Sequence, residues 1–316
     1  MNVFHSDSKC ETEEPESIIR IRGLIKTYGG EYALNGVSLD VKRGETLALI
    51  GSSGSGKTTL LKSVNGLVPR DSGDIDVYGK SIDQWDLVKL RRRIGYVIQQ
   101  VGLFPHYTIE KNIRLVPELL GWDETTISRR VNELLEKIHI PGDMKDRYPD
   151  ELSGGQQQRI GLARALAADP EIILMDEPFG ALDPIIRSGM QREFLNLDSF
   201  SGKTIILVTH DMVEAAILSD RICLLEKGII QQLGTLRQLL FYPENDFVRR
   251  FLDPHRYELE MRAIFVRDLK PYISDAFTAN YHESMSLAEI PVNDSAEIRK
   301  QYYLNRNKIL DKLKTG

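Results

Sequence analysis

The chain has 316 residues, of which 41% are hydrophobic and 28% charged, enough apolar material for one large domain with an extension or for two domains. Its formal net charge of −5 argues against a nucleic-acid binder that works by bulk positive charge, and two widely separated cysteines, Cys10 and Cys223, exclude a disulfide framework and indicate a reducing compartment. No apolar run reaches the length of a membrane span and the start of the chain has no signal-peptide core, so the cytoplasm is the expected compartment and any membrane role requires another chain.

Residues Met1 to Ser17 are polar and acidic and read as a mobile tail. From Ile18, "IIRIRGLIKTYGG" and "EYALNGVSLDVKRGETLALIG" alternate apolar positions with glycine turns, which predicts a small antiparallel region leading into a buried strand. That strand ends in "GSSGSGKT", and "KTTLLKSVNGL" reads as the helix after it. "SGDIDVYGKSI" reads as a hairpin or turn and "RIGYVIQQ" as another strand. Residues from about Ile109 to Ala168 are mostly helical: Val131, Leu134, Leu135 and Ile138 share one stripe, Pro141-Gly142 breaks that helix, and "RIGLARALAADP" is a further helix stopped by Pro170. "EIILMDEP" is an apolar strand closed by acids, and "KTIILVTHD" is a second buried strand. "RICLLEKGIIQQLGT" is a hairpin turning at Lys227-Gly228, with Cys223 as a small core residue. This alternation predicts an α/β fold around a mostly parallel sheet with a helical insertion. From about Asp253 the texture changes, but aromatic and apolar residues persist. A folded extension is expected, ending in an amphipathic helix with Ile298, Tyr302, Ile309 and Leu313 roughly on one face.

Four segments carry chemistry. In the first, Gly51 to Thr58 matches G-x-x-x-x-G-K-[ST] between a strand and a helix. Gly51, Gly54 and Gly56 let the backbone approach phosphate, amides at the helix start donate to its oxygens, Lys57 reaches the outer phosphates, and Thr58 ligands Mg²⁺. Ser52, Ser55 and Thr59 belong to the same cradle. The second is the acidic pair after "IILM": Asp176, at a strand's C-terminal end, fits a Mg²⁺ partner, and Glu177 fits a base that polarises the attacking water. The third, "ILVTHD", ends another strand of the same sheet, which favours contact of His210 with the γ-phosphate over a surface role. The fourth is "DELSGGQQQRI", whose Ser153 is a plausible N-cap; an ordinary helix cap and a second anion site are both compatible with its spacing.

Together and in this order, the four segments resemble the ATP-binding cassette (ABC) ATPases, whose signature "LSGGQ" is here Leu152 to Gln156. The resemblance runs from Ile18 to Leu252. It implies a P-loop NTPase with a RecA-like core, an antiparallel β subdomain and a helical signature subdomain at about 102–168, with residues 253–316 as an extension of unassigned role. It also implies ATP and Mg²⁺ as cofactors and a head-to-tail pair of cassettes, in which Ser153, Gly154, Gly155 and Gln156 cap the γ-phosphate on the opposite P-loop. By the same resemblance, Tyr28 stacks on adenine (a plain strand-face aromatic being the alternative) and Gln99 senses Mg²⁺ and the attacking water. Gln100 is a rival for that role, though the spacing to "LFPH" favours Gln99. Asp183 in "GALD" links the two sites, and Glu177 with His210 marks a hydrolysing cassette.

More narrowly, "RRRIGYVIQQVGLFPHYTIEKNI" is similar to the ATPase subunits of glycine betaine/choline importers. That implies transmembrane permease subunits as direct partners, a solute-binding protein as an indirect one, and a peripheral place on the cytoplasmic face of the membrane. Leu103, Phe104 and Pro105 either receive a short permease helix or fill the helical subdomain's own core. Many such relatives carry paired CBS domains, which the residues after Asp253 are too few to form. The alternatives are a cassette of an amino-acid or lipid transporter, and a soluble ABC ATPase acting on ribosomes or DNA. The latter usually shows a second cassette or a long coiled-coil insert, and neither is present; nucleic acid is not an expected partner. The extension is expected to dimerise, to regulate or only to pack.

Overall fold

The computed structural model describes residues 16–99, 102–180, 183, 187, 189–191, 200–272, 281–290 and 292–315, without the side chains of 292–297, 314 and 315. In chain order come β1 (Ser17–Tyr28), β2 (Glu31–Lys42), β3 (Thr46–Gly51), α1 (Lys57–Val64), β4 (Ser72–Val77), β5 (Lys80–Ser81), α2 (Leu87–Arg92), β6 (Ile94–Val97), α3 (Ile109–Leu119), α4 (Glu124–Lys137) and α5 (Gly154–Leu166). Then follow β7 (Ile172–Asp176), β8 (Thr204–Val208), α6 (Met212–Leu218), β9 (Arg221–Glu226), β10 (Ile229–Gly234), α7 (Leu236–Phe241), α8 (Asp246–Leu252), α9 (Arg256–Ala263), α10 (Val266–Leu269) and α11 (Val292–Thr315). Among the described residues no helix is long and apolar enough to cross a membrane.

The strands form two sheets. One is antiparallel, in the order β2-β1-β4-β5; the other runs β10-β9-β3-β8-β7-β6 and is parallel except for the β9–β10 hairpin at its edge. The continuous apolar runs of the parallel strands follow from burial on both faces. Ile172 and Leu174 of β7, Ile206 and Val208 of β8, and Leu47 and Leu49 of β3 enter the core shared with the antiparallel sheet and α1. Their neighbours Ile173, Met175, Ile205 and Leu207 point the other way, into the core of the helical segment with Val131, Leu134, Leu135 and Ile138. The expected hairpins, the buried strands and the α4 stripe are therefore all present.

Two boundaries differ from the sequence expectation. Ser17 is already in β1, paired with Lys42, so pairing begins inside the segment read as a tail, while residues 1–15, including Cys10, lie outside the described residues. Helix α5 ends at Leu166, four residues before Pro170. The proline's ring disfavours the helical region for the residue before it, and Asp169 instead takes φ +50°, so the helix closes a turn early.

The extension is continuous with the core. Ala48, Ile50, Ile222 and Leu224, on the remaining face of β3 and β9, pack with Met212 and Ala215 of α6 and with Leu259, Ile264, Leu287, Ile298, Tyr302 and Ile309. Leu313 packs at the margin of the same cluster, so the stripe expected for the last helix is its buried face. A buried carboxylate pins this layer. Glu260 of α9 is 0% exposed and accepts hydrogen bonds from Arg306 Nε (2.8 Å), Arg306 Nη2 (2.5 Å), Tyr302 OH (2.9 Å) and Arg256 Nε (3.0 Å).

Candidate functional site

The site lies where four neighbouring parallel strands end. β3 runs into the Gly51–Thr58 loop, β7 ends at Asp176, His210 follows β8 by two residues, and Gln99 follows β6 by two. A cavity of about 510 Å³ at this sheet edge is lined by Tyr28, Ala33, residues 53–59, Gln99, Glu177 and His210. Carboxyl ends of strands in open α/β sheets are where ligands bind, because helix N-termini and loop amides converge there.

The loop's glycines are required by contact as well as by conformation. Gly51 (φ +153°) and Gly56 (φ +103°) are held so close to the Leu225 and Ala33 carbonyls that a Cβ at either position would overlap the oxygen. Gly56 is also the N-cap of α1 and supplies no side chain, so the first amides of the helix are left to an external acceptor. Lys57 folds back over the loop and donates to the carbonyls of Gly51 (2.9 Å) and Ser52 (2.7 Å) and to Ser55 Oγ (3.3 Å). Burial pushes its ammonium below the usual lysine range, while Glu177, Asp176 and Glu226 act in the opposite sense.

Thr58 Oγ1 donates to Asp176 Oδ1 at 2.9 Å. Burial raises the Asp176 carboxyl above its ordinary value, opposed by the Thr58 bond and by Lys62 and Lys57. A hydroxyl and a carboxylate, both hard oxygen donors, at the floor of a phosphate-sized cradle fit Mg²⁺, which takes one or two protein oxygens and completes its shell with phosphate and water. Glu177 follows immediately with φ +48°, a conformation that costs a non-glycine residue energy and recurs at functional sites. Its backbone N–H donates to the Val208 carbonyl at 2.9 Å, which ties the β7 and β8 ends together. Its Oε2 accepts from Gln99 Nε2 at 2.9 Å and lies 3.5 Å from His210 Nδ1. Gln99, Glu177 and His210 are thus in one constellation; Gln100 lies outside the described residues.

Tyr28 stands at the cavity mouth with its ring exposed and the Lys26 ammonium 5.4 Å from the ring centroid. Ser153 is the N-cap of α5: its Oγ accepts from Gln156 N (3.3 Å), and Gln156 Oε1 accepts from Ser153 N (2.9 Å). Ser153, Gly154, Gly155 and Gln156 do not line the P-loop cavity of their own chain, and neither does Asp183, which is exposed. Four further residues bear on the site without having been singled out by the sequence. Glu226 at the end of β9 accepts from the Ser52 hydroxyl, buried Gln158 donates to the Pro178 carbonyl just past the acidic pair, and Thr209 and Glu214 lie behind His210. Glu226 reads as an ordinary turn acid beside Lys227-Gly228, and no spacing signal marks the others.

The sequence pattern of the family described as "ABC transporter" matches residues 34–180. The glycine betaine/carnitine/choline transport ATP-binding protein OpuCA of Bacillus subtilis is 52% identical over 240 residues, covering 76% of this chain and 63% of that protein. The glycine betaine uptake system ATP-binding protein YehX of Escherichia coli is 44% identical over 256 residues, covering 81% and 82%. Among solved structures, the dimeric post-hydrolysis state of the ATP-binding cassette MJ0796 bound to ADP and Pi superposes with a TM-score of 0.62 at 34% identity, covering 69% of this chain and 98% of that one. The match with OpuCA thus spans less than two thirds of that relative's length.

Proposed function

The chain belongs to the ATP-binding cassette family of ABC transporters, and from that premise we propose that it is the ATP-hydrolysing subunit of an importer for glycine betaine, choline or a related quaternary amine. The observation that carries the enzymatic part is the convergence of the Gly51–Thr58 cradle, the Thr58–Asp176 pair and the Gln99–Glu177–His210 group on one cavity. The names and identities of OpuCA and YehX support the solute class.

In this reading, residues 18–252 are the cassette and Tyr28 offers its exposed ring to the adenine. The unsatisfied amides at the start of α1 and the Lys57 ammonium hold the β- and γ-phosphates, and a triphosphate replaces the loop carbonyls that Lys57 now contacts. Thr58 and Asp176 hold Mg²⁺, which neutralises charge on the phosphate oxygens when bound. Glu177 Oε2 takes the proton of the attacking water, while Gln99 and His210, already at that oxygen, hold it in place; His210 is 57% exposed on its other side and can face the γ-phosphate. Ser153 to Gln156 and Asp183 serve the site of a second copy paired head to tail.

The chain sits peripherally at the cytoplasmic face of the membrane and receives transmembrane permease subunits on a groove of about 310 Å³ between the parallel sheet and the helical segment. Phe104 lines that groove and is exposed, which supports the docking reading for that side chain, whereas Leu103 packs on the helical core. A solute-binding protein acts on the outer side, through the permease.

The test is uptake of labelled glycine betaine or choline into membrane vesicles, alongside ATPase of the purified chain. Glu177→Gln should lower kcat by about 10²-fold or more while ATP still binds, and should abolish uptake. Uptake unchanged by that substitution would overturn the proposal.

A further inference from the structure

Behind His210, on the side away from the cavity, lies a polar group that the hydrolytic chemistry above leaves unused. Glu214, in the first turn of α6, is a carboxylate only 5% exposed. Its Oε2 accepts from the Thr209 hydroxyl at 2.8 Å, and its Oε1 has no hydrogen-bond partner among the described residues. The Thr209 oxygen in turn accepts from the Asp211 N–H at 3.0 Å, and the Thr209 N–H donates to the Leu49 carbonyl of β3 at 3.2 Å. Asp211 caps α6, accepting from Val213 N (2.8 Å) and Glu214 N (3.1 Å), and Arg187 lies 3.8 Å from its other oxygen. Both neighbours of His210 are therefore fixed, through one hydroxyl and one buried acid, to the floor of the sheet. A buried carboxylate is costly, and burial with the nearby charges of Asp211 and Glu177 works against its ionised form, with the Thr209 hydrogen bond and Arg187 opposing. A helix whose first turn needs only packing at this position is served better by an apolar residue.

We propose that Glu214 is a positioning residue for His210: through Thr209 it sets the backbone on both sides of the histidine and so aims the imidazole at Glu177 and the γ-phosphate. It does not line the P-loop cavity and acts only through the hydrogen-bonded chain Glu214–Thr209–Asp211. Arg187 extends this chain toward the Asp183 segment. The Arg187 N–H donates to the Asp183 carbonyl at 2.9 Å, and its guanidinium lies 3.8 Å from Asp211.

The inference rests on the ATPase reading, and the assay separates the two. ATPase of the full chain is measured for wild type, Thr209→Val, Thr209→Ser, Glu214→Ala and Glu214→Gln, with melting temperatures recorded alongside. Thr209→Val keeps the shape and removes the hydroxyl. It and Glu214→Ala should lower kcat about tenfold with KM for ATP within about twofold, the pattern of an interaction that matters only in the transition state. Thr209→Ser and Glu214→Gln keep donor and acceptor and should keep kcat within about twofold of wild type. If Glu214→Ala fails to fold, Thr209→Val carries the test. Loss of melting temperature with kcat unchanged, or a rise in KM alone, overturns the positioning role while leaving the ATPase reading intact. Absence of ATPase in the wild-type chain and in its complex with a permease removes the ATPase reading itself.

Discussion

Replacing Arg306 with methionine isolates what holds the C-terminal layer to the core. Methionine retains most of the apolar stem but removes the two shortest hydrogen bonds to Glu260, from Nε at 2.8 Å and Nη2 at 2.5 Å. Glu260 stays fully buried and keeps Arg256 Nε at 3.0 Å and Tyr302 OH at 2.9 Å. Removing one partner of a buried ion pair costs ~3–5 kcal/mol, because the remaining charge is left poorly compensated. With Arg256 still in place the lower end applies, about 3 kcal/mol. The urea midpoint should fall accordingly, and the thermal midpoint by roughly 6–12 °C, taking 2–4 °C per kcal/mol for a chain of this order of size. Limited proteolysis should then cut between α9 and α11 at protease levels that leave wild type intact. Arg306→Lys, which keeps the charge without the planar fork, should fall in between. A loss under about 1 kcal/mol would refute the reasoning, since it would mean that the buried carboxylate does not depend on its guanidinium clamp.

Three further outcomes follow from the site. Gly56→Ala should abolish nucleotide binding in a fluorescent-ATP titration, because the new Cβ must displace the Ala33 carbonyl from a position the loop needs. Ser153→Ala removes the α5 cap and should cost about 1 kcal/mol in urea unfolding, and on the proposed pairing it should also slow hydrolysis while ATP still binds. Glu214 is pushed up to about 7 by burial, so the native state binds a proton the unfolded chain has released between pH 4.5 and pH 7. Its contribution is therefore most favourable below that window and is lost as pH rises through it, by roughly 3 kcal/mol in full. In urea unfolding at pH 5 and pH 8, Glu214→Gln should shrink the wild-type difference by up to that amount.

Much of the site was legible because its residues sit at sequence-marked strand ends. Four apolar residues before Asp176 announce a buried strand, and the glycines before Lys57 announce a turn that opens a helix. Parallel strands put such ends on one edge, so Thr58, Gln99, Asp176, Glu177 and His210 converge without any further signal. What could not be read depends on the order of strands across the sheets. Glu226 reaches Ser52 because β9 lies next to β3, and Thr209 reaches the Leu49 carbonyl because β8 lies on its other side. The last helix shows the same division. The spacing of Ile298, Tyr302 and Ile309 states which face is buried, but not that it covers Ala48, Ile50, Ile222 and Leu224 on the sheet.

Two helix N-termini in this chain are capped in opposite ways, and the difference bears on how the proposed catalytic site is completed. Helix α1 begins at Gly56 with no side-chain cap, its amides facing the P-loop cavity and left for phosphate. Helix α5 begins at Ser153, whose hydroxyl and amide are both satisfied by Gln156, so that end is stable with no ligand and stays exposed. A self-satisfied N-terminus still carries the helix dipole and can turn its serine toward an anion that arrives from outside. An uncapped one requires its anion to be held by its own loop. In the proposed pair, the first supplies binding within one chain and the second supplies closure between two. Loss of the second should therefore leave affinity for ATP in the single chain nearly untouched and act on turnover, which is the asymmetry that Gly56→Ala and Ser153→Ala are chosen to separate.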